Sequence, residues 1–245
     1  MKKRFIFITA ILALGAAAIL APVFSPSPLD ILTNWGLVAT ILVGLSVAAF
    51  FYEFESSAIS SKEIALVGML STLSAVARIP FAAIPSVQPC TFLIICSGYV
   101  FGPMVGFMVG AVTALVSNLF LGQGVWTLFQ MLAWGLAGIT AGGLRRFTPG
   151  LKWLVAFSIA WGYLFGAIMN VWFWSSFIYP LTLKTFMVYQ LSSVWFDTMH
   201  AIGNAVLMGF FGKKTMAILD RFRERFQWGV ISPRPPGSKD ATALS

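Results

Sequence analysis

This sequence has little charge, one histidine and two cysteines, and each shortage excludes a class of protein. Only 10% of its 245 residues are charged, whereas 58% are hydrophobic. A soluble domain usually carries about 25% charged residues, so this chain has too few to coat a globule. The single histidine excludes a multi-histidine metal site, and Cys90 and Cys96 form neither a metal motif nor a disulfide framework. The sequence has no Walker loop and no Rossmann glycine pattern, and therefore no visible machinery for ATP hydrolysis.

The sequence does contain long apolar runs, and about 20 consecutive apolar residues suffice for a helix to cross a bilayer. We therefore predict an all-α membrane protein. Prolines, glycines and polar turns separate the runs. The predicted helices cover residues 5–24, 35–52, 64–77, 91–101, 104–121, 125–144, 151–178 and 185–211. A basic amphipathic segment, 213–226, is expected to follow the last of them.

The polar stretch 53–63 marks the clearest boundary in the chain. We expect an N-terminal pair of transmembrane helices over 1–56, a six-helix core over 57–228 and a disordered cytoplasmic tail over 229–245. The first apolar run could also be a signal peptide. Its length, and the lack of a clean cleavage site before a soluble domain, favour a retained helix.

The distribution of basic residues predicts the topology. With the N-terminus inside, fourteen of the sixteen lysines and arginines fall on the cytoplasmic side, and only Arg78 and Lys184 fall outside. Cytoplasmic loops of membrane proteins carry such an excess. Both termini are therefore expected in the cytoplasm. The net charge of +8 reflects topology, and we do not expect nucleic-acid binding.

Small residues at four-residue spacing predict places where helices approach closely in lipid. Such stripes occur at Gly106, Gly110 and Ala114, and again at Gly138 and Gly142, and both are read as internal packing seams. A third stripe lies on the helix predicted over 64–77. It is either another internal seam or a docking face for a second membrane subunit, and spacing alone does not separate the two. It consists of Ala65, Gly68, Thr72 and Ala75.

Polar residues on two apolar helices indicate a binding site. On the last helix they fall within an arc of about 80°, so they must face the protein interior or a watery cavity. They are Gln190, Ser193, Asp197, His200 and Asn204. On the helix over 125–144 and the turn before it, amides and indoles share one face, which suits a planar small molecule with polar edges. They are Gln123, Trp126, Gln130 and Trp134, with Thr127 at the edge and with Asn118 and Asn170 on neighbouring helices.

Each of these features also has a structural interpretation. Asp197 and His200, three residues apart, could pair with each other. Asn118 and Asn170 could hold helices together. The remaining alternatives are an interfacial aromatic belt for Trp172 and Trp174 and an outer-edge anchor for Arg78.

An enzyme is a further alternative, because Ser193, Asp197 and His200 formally supply a serine–histidine–aspartate set. These three side chains project side by side from one helix. A working triad needs the histidine between the other two, which disfavours catalysis.

Six segments together resemble the S-components of energy-coupling-factor (ECF) transporters, the membrane subunits that bind the transported substrate. The resemblance extends over about residues 60–226, and the subtype is most similar to S-components associated with cobalamin uptake. The segments are 77–82 (ARIPFA), 85–89 (PSVQP), 98–103 (GYVFGP), 118–127 (NLFLGQGVWT), 130–135 (QMLAWG) and 197–204 (DTMHAIGN).

The resemblance implies a six-helix core made of the third to eighth predicted helices, preceded by two additional helices. It also implies a multi-pass protein of a prokaryotic cell membrane, surrounded by lipid. Its partners would be a transmembrane coupling protein and two cytoplasmic ATPase subunits. A vitamin site is expected near the outer face, capped by the loop 81–89, with no cofactor or metal. Cobalamin is the favoured ligand, although riboflavin or another small vitamin would suit the same residues.

Residue roles follow from this resemblance together with the polar pattern. The substrate-binding residues are Gln123, Trp126, Thr127, Gln130, Trp134, Asn118, Asn170, Gln190, Asp197 and His200. The gating residues are Arg78, Phe81 and Gln88. The docking residues are Ala65, Gly68, Ser71, Thr72 and Ala75, where Gly68/Thr72 and Ser71/Ala75 replace the family's Ala-x-x-x-Ala. Two other functions stay open: a stand-alone secondary transporter, although no inverted repeat is visible, and an intramembrane enzyme that uses Asp197 and His200.

Overall fold

The computed structural model describes residues 34–57 and 60–225, together with residues 11 and 13–15. Most of the first predicted helix and the C-terminal tail lie outside this part. In the described ranges every regular element is a helix, and short 3₁₀ turns cover Pro80–Ala83 and Arg145–Phe147. The α-helices are α1 (Trp35–Ser56), α2 (Ser61–Arg78), α3 (Pro89–Phe101), α4 (Pro103–Leu121), α5 (Trp126–Leu144), α6 (Leu151–Phe177) and α7 (Leu183–Arg225).

The helices have the length and composition of membrane spans. Five of those described, α1, α2, α4, α5 and α6, are long and apolar enough to cross a membrane, and α3 is apolar but shorter. The prediction of an all-α membrane protein is confirmed. The helix α7 is long enough to cross as well, and it carries the polar stripe.

Local sequence signals define the helix ends. Ser60 and Glu63 form a capping box at the start of α2, where each side chain bonds the other residue's backbone N–H. Gly102 and Gly122 adopt positive φ angles of 99° and 106° where α3 and α4 end, a conformation that glycine adopts without steric strain. Proline occupies the first turn of both α3 and α4, where its missing N–H leaves no bond unmade.

The last helix differs from the prediction. Instead of two segments, α7 is one helix of 43 residues that continues through Lys213 and Lys214. At about 1.5 Å per residue it is about 65 Å long, twice the apolar thickness of a bilayer. Charged residues oppose burial in lipid rather than helix formation, so the helix continues beyond the bilayer. Arg145 bonds Asp220 at 3.0 Å and the Val100 carbonyl at the end of α3, which ties the extension to the bundle.

Three glycines bring the central helices into backbone contact. Gly98 of α3, Gly106 of α4 and Gly138 of α5 meet at one point. A Cβ on Gly106 would lie 2.6 Å from the Gly98 Cα and 2.7 Å from the Gly138 carbonyl carbon, closer than real Cβ contacts. The predicted packing seam is confirmed here, and it also includes α3.

The helices α2 to α7 alternate in direction, because short connections join them. α2, α4 and α6 therefore end where α3, α5 and α7 begin. We call this end of the bundle the site end. At the same end Gly36 of α1 lies against Ser176 of α6, with only 2.9 Å between the Ser176 Cα and a Cβ built on the glycine.

Candidate functional site

A buried arginine lies at the site end. Arg78 is the last residue of α2 and is only 7% exposed. Its Nε donates to Gln88 Oε1 at 2.9 Å, and its Nη1 donates to Ser117 Oγ at 2.6 Å and Asn118 Oδ1 at 2.7 Å. The guanidinium carbon also lies 4.8 Å from the centroid of the Trp134 ring. The outer-edge anchor interpretation is wrong, because the side chain turns into the bundle.

Asn118 extends this network from α4 to α5. Its Nδ2 donates to Thr127 Oγ1 at 2.9 Å and to Gln130 Oε1 at 2.7 Å. The Thr127 hydroxyl in turn lies 3.0 Å from Gln123 Oε1, in the turn before α5. Asn118, Thr127 and Gln130 are buried, whereas Gln123 is exposed. The amide face predicted on α5 therefore faces the interior, and Gln123 lies at its outer edge.

An aromatic group joins α3, α5 and α7. The Trp134 Nε1 donates to Thr91 Oγ1 at 2.9 Å, and the same hydroxyl lies 2.8 Å from His200 Nε2. Phe165 of α6 stacks on Trp134 with the ring centroids 4.7 Å apart, and its ring meets His200 edge-on at 5.0 Å. His200 is therefore held by a hydrogen bond and a ring contact from two other helices.

A second polar group links α6 and α7. Asn170 Nδ2 donates to Gln190 Oε1 at 3.0 Å and to Ser193 Oγ at 2.7 Å. The Ser193 hydroxyl donates to Asp197 Oδ2 at 2.9 Å. The Asp197 carboxylate occupies the space that a Cβ on Gly166 would take, so glycine lets it lie against the α6 backbone.

The alternative of a direct pair between Asp197 and His200 is wrong. Asp197 bonds Ser193 and Gln190, whereas His200 bonds Thr91 on α3. The histidine does not lie between the serine and the aspartate, and this geometry provides no catalytic triad.

The loop after α2 contacts the bundle at its end, because residues 82–85 are exposed whereas residues 86–88 are partly buried. Gln88 bonds Arg78, and Val87 lies 3.2 Å from a Cβ built on Gly203 of α7. Gly203 is three residues past His200, on the side away from the site end. Phe81, in the 3₁₀ turn of this loop, is half-buried.

Other aromatic residues surround the site end. Trp126 at the start of α5 faces Trp172 of α6, with the ring centroids 5.8 Å apart. Trp174 donates its Nε1 to Thr185 Oγ1 at 3.1 Å. All three tryptophans are partly buried, and these contacts join α5, α6 and α7 to one another.

The proposed docking residues divide into two faces of α2. Ala65, Gly68 and Thr72 are exposed, whereas Ser71 and Ala75 are buried. Ser71 Oγ bonds the Val109 carbonyl of α4 at 3.4 Å. Ser71 and Ala75 therefore cannot contact a partner subunit, because they face the inside of the bundle. Of the two small-residue pairs, only Gly68 and Thr72 face outward.

Three residues of the site were missed in the sequence. Thr91 and Ser117 are hydroxyls within apolar runs, where such residues commonly bond their own helix, and Phe165 resembles any apolar residue of α6. The one sequence signal for this part of the site is the hydroxyl of Ser117 directly before the amide of Asn118. In the structure both side chains accept a hydrogen bond from Nη1 of Arg78.

The site offers one cation, one carboxylate, several amides and aromatic faces in an apolar surrounding. In the part of the chain that is described, no cluster of histidine, cysteine, aspartate and glutamate could hold a metal ion. Such a set of donors and acceptors suits the recognition of a small polar molecule with a flat apolar part.

Comparisons with known proteins identify the family. Residues 62–209 match the family model described as "ECF transporter, substrate-specific component". The chain is 30% identical over 88 residues to a UPF0397 protein of Vibrio atlanticus (strain LGP32), covering 34% of this chain and 48% of the relative. A UPF0397 protein of Aliivibrio fischeri (strain MJ11) is 29% identical over 89 residues, with the same two shares.

The match thus spans about half the length of these curated relatives. No solved structure matches the chain. The family model covers more than half of the chain, including α2 to α6 and the site end of α7. The chain therefore belongs to the family of ECF transporter substrate-specific components.

Proposed function

We propose that the chain captures a vitamin or vitamin precursor for an ATP-driven ECF uptake transporter, and that it binds this molecule at the site end. One observation carries the proposal: polar side chains from α2, α4, α5, α6 and α7 converge at one end of an apolar bundle. Ionisable groups within a membrane are destabilising, so their clustering there indicates a role in binding or transport.

A bound ligand would replace hydrogen bonds that the site residues already make with one another. The amides of Asn118, Gln130 and Asn170 already bond other side chains. A ligand that replaces these partners one for one gains little net free energy per bond, whereas one that leaves a buried group unpaired is rejected. The network would therefore determine selectivity. The connection between α2 and α3, residues 79–88, is the element that we expect to move to admit the ligand.

The same family supports a partnership with a transmembrane coupling protein and two cytoplasmic ATPases. We propose the exposed face of α2 as the docking surface, with Ala65, Gly68 and Thr72 at its centre. Large apolar residues flank it: Ile64, Leu73 and Val76 are 60%, 55% and 57% exposed. A small-residue stripe lets a second helix approach closely in lipid.

The charge distribution supports an orientation with the site end outside and both termini in the cytoplasm. Lys152, Lys213 and Lys214 lie at the end opposite the site end. Substrate would then bind from the exterior, which uptake requires.

Cobalamin is the favoured substrate on the resemblance of the sequence, and riboflavin remains the second candidate. Both present a flat ring system with polar edges, which suits the aromatic group of Trp134 and Phe165 and the amides beside it.

Equilibrium binding in detergent, without ATP, tests this proposal. We expect the purified protein to bind labelled cobalamin, or riboflavin if that is the substrate, and Gln130→Ala to weaken binding by about tenfold or more through loss of a buried hydrogen bond. Trp134→Ala should also weaken binding. Thr140→Ala is the matched control, because Thr140 is exposed on α5 far from the site end. Unchanged affinity in both site variants would remove this face from the binding site.

Uptake into vesicles separates the remaining alternatives. A capture subunit supports uptake only with the coupling protein, the ATPases and ATP. A stand-alone secondary transporter would support uptake with an ion gradient alone. An enzyme would convert the substrate, and His200→Ala would abolish the conversion.

A further inference from the structure

The hydrogen-bond partners of Arg78 are all uncharged. Its Nε and Nη1 donate to Gln88, Ser117 and Asn118, and its guanidinium lies over the Trp134 ring. The second terminal nitrogen, Nη2, donates to none of the described residues, and it is not among their fully buried unpaired atoms, so its N–H groups are accessible. This buried cation therefore retains two unused N–H groups and no counter-charge among its bonded neighbours.

In the described part of the chain, each carboxylate either bonds other side chains or lies far from Arg78. Asp197 bonds Ser193 and Gln190, and it forms no ion pair with Arg78. The other five lie towards the opposite end of the bundle: Glu53, Glu55, Glu63, Asp220 and Glu224. None of these six compensates the arginine in the described part of the chain.

A buried charge without a partner is strongly destabilising in a medium of low dielectric constant. Amide and hydroxyl oxygens and an aromatic face compensate it only in part. Arginine also remains protonated in such an environment, so it cannot escape the cost by losing its proton. An anion that reaches Nη2 would supply the missing charge, and the planar guanidinium is well suited to carboxylate and phosphate oxygens.

We infer that the transported molecule carries a carboxylate or phosphate group and that Arg78 binds this oxyanion through Nη2. The inference rests on the proposed function and narrows its substrate class. It favours cobalamin, whose nucleotide loop contains a phosphodiester, over riboflavin, which has no such group. It also gives the 79–88 loop a role, because Gln88 within that loop holds the Nε side of the same guanidinium.

Pairs of ligands that differ in the oxyanion test this inference. The probes are cobinamide phosphate against cobinamide, riboflavin 5′-phosphate against riboflavin, and nicotinate against nicotinamide. Equilibrium binding is measured on the full-length wild-type protein, Arg78→Gln, Arg78→Lys and the control Thr140→Ala. In the pair that binds, we expect the oxyanion member to bind wild type about 100-fold more tightly, in line with the loss of one partner from a buried charge pair.

The variants separate a ligand contact from a structural role. Arg78→Gln should bring the two members of the pair to within about tenfold of each other, whereas Arg78→Lys should keep part of the preference. A purely structural arginine would weaken both members equally and leave their ratio unchanged, which would overturn the inference. If Arg78→Gln does not fold, the wild-type ratio and Arg78→Lys still decide the question.

Different results would contradict the anion inference and the capture function. Tight binding of a neutral member, with its oxyanion partner equal or weaker, would contradict the anion inference and leave the capture function standing. Retention of none of the six probes by a folded wild-type protein would count against both.

Discussion

Two stripes of small residues in this chain have the same spacing and opposite surroundings. On α5, a Cβ built on Gly138 would overlap the backbone of Gly106, with 2.8 Å to its Cα. On α2, a Cβ on Gly68 would meet nothing within 4 Å. Spacing thus predicts that a close contact is possible, but it does not predict whether the partner belongs to the same chain. The first stripe closes the bundle, and the second is the surface that we propose for the coupling protein.

The largest expected effect is on folding. Gly138→Ala should destabilise the protein by about 1–3 kcal/mol, because the added methyl group meets backbone that cannot move aside. Thermal unfolding of the purified protein measures this. The matched control is Gly68→Ala, which has room for the methyl group and should be neutral or stabilising by up to about 1 kcal/mol through helix propensity. Equal stability of the two variants would contradict the contrast between the stripes.

The second effect is on association. Gly68→Leu should abolish copurification with the coupling protein, because a large side chain prevents close approach of a helix. Ligand binding and thermal stability should stay at wild-type values, since the residue faces outward. Intact copurification would refute the docking role of α2.

The smallest effect compares two adjacent residues of α2 that face opposite ways. Ser71→Ala removes the bond to the Val109 carbonyl and should lower stability by about 0.5–1 kcal/mol without changing copurification. Thr72→Ala should change stability by less than about 0.5 kcal/mol and weaken copurification instead. Parallel measurements of unfolding and copurification check both, and the reverse pattern would show that the faces were assigned wrongly.

The fold was largely predictable, because the apolar runs and their interruptions determine where helices begin and end. The continuation of α7 through Lys213 was not predictable, since charged residues interrupt an apolar pattern without interrupting a helix. Its course depends on contacts from distant parts of the chain, such as Arg145 with Asp220.

The sequence predicted which helix faces form the candidate site, but it did not predict which side chains on those faces bond each other. The stripe from Gln190 to His200 does face the interior, because polar groups avoid lipid. Its pairings were different, since Asp197 and His200 each bond a residue other than their helical neighbour. The burial of Arg78 was also missed, because the direction of a side chain at a helix end depends on the loop that follows.

Native mass spectrometry of the protein purified from cells grown with mixed vitamins tests the capture role most directly. The account predicts one vitamin-sized molecule per chain, retained without ATP and released when Gln130 and Trp134 are replaced by alanine. A stably folded preparation that carries no small molecule, and that takes up none from the same mixture, would contradict it.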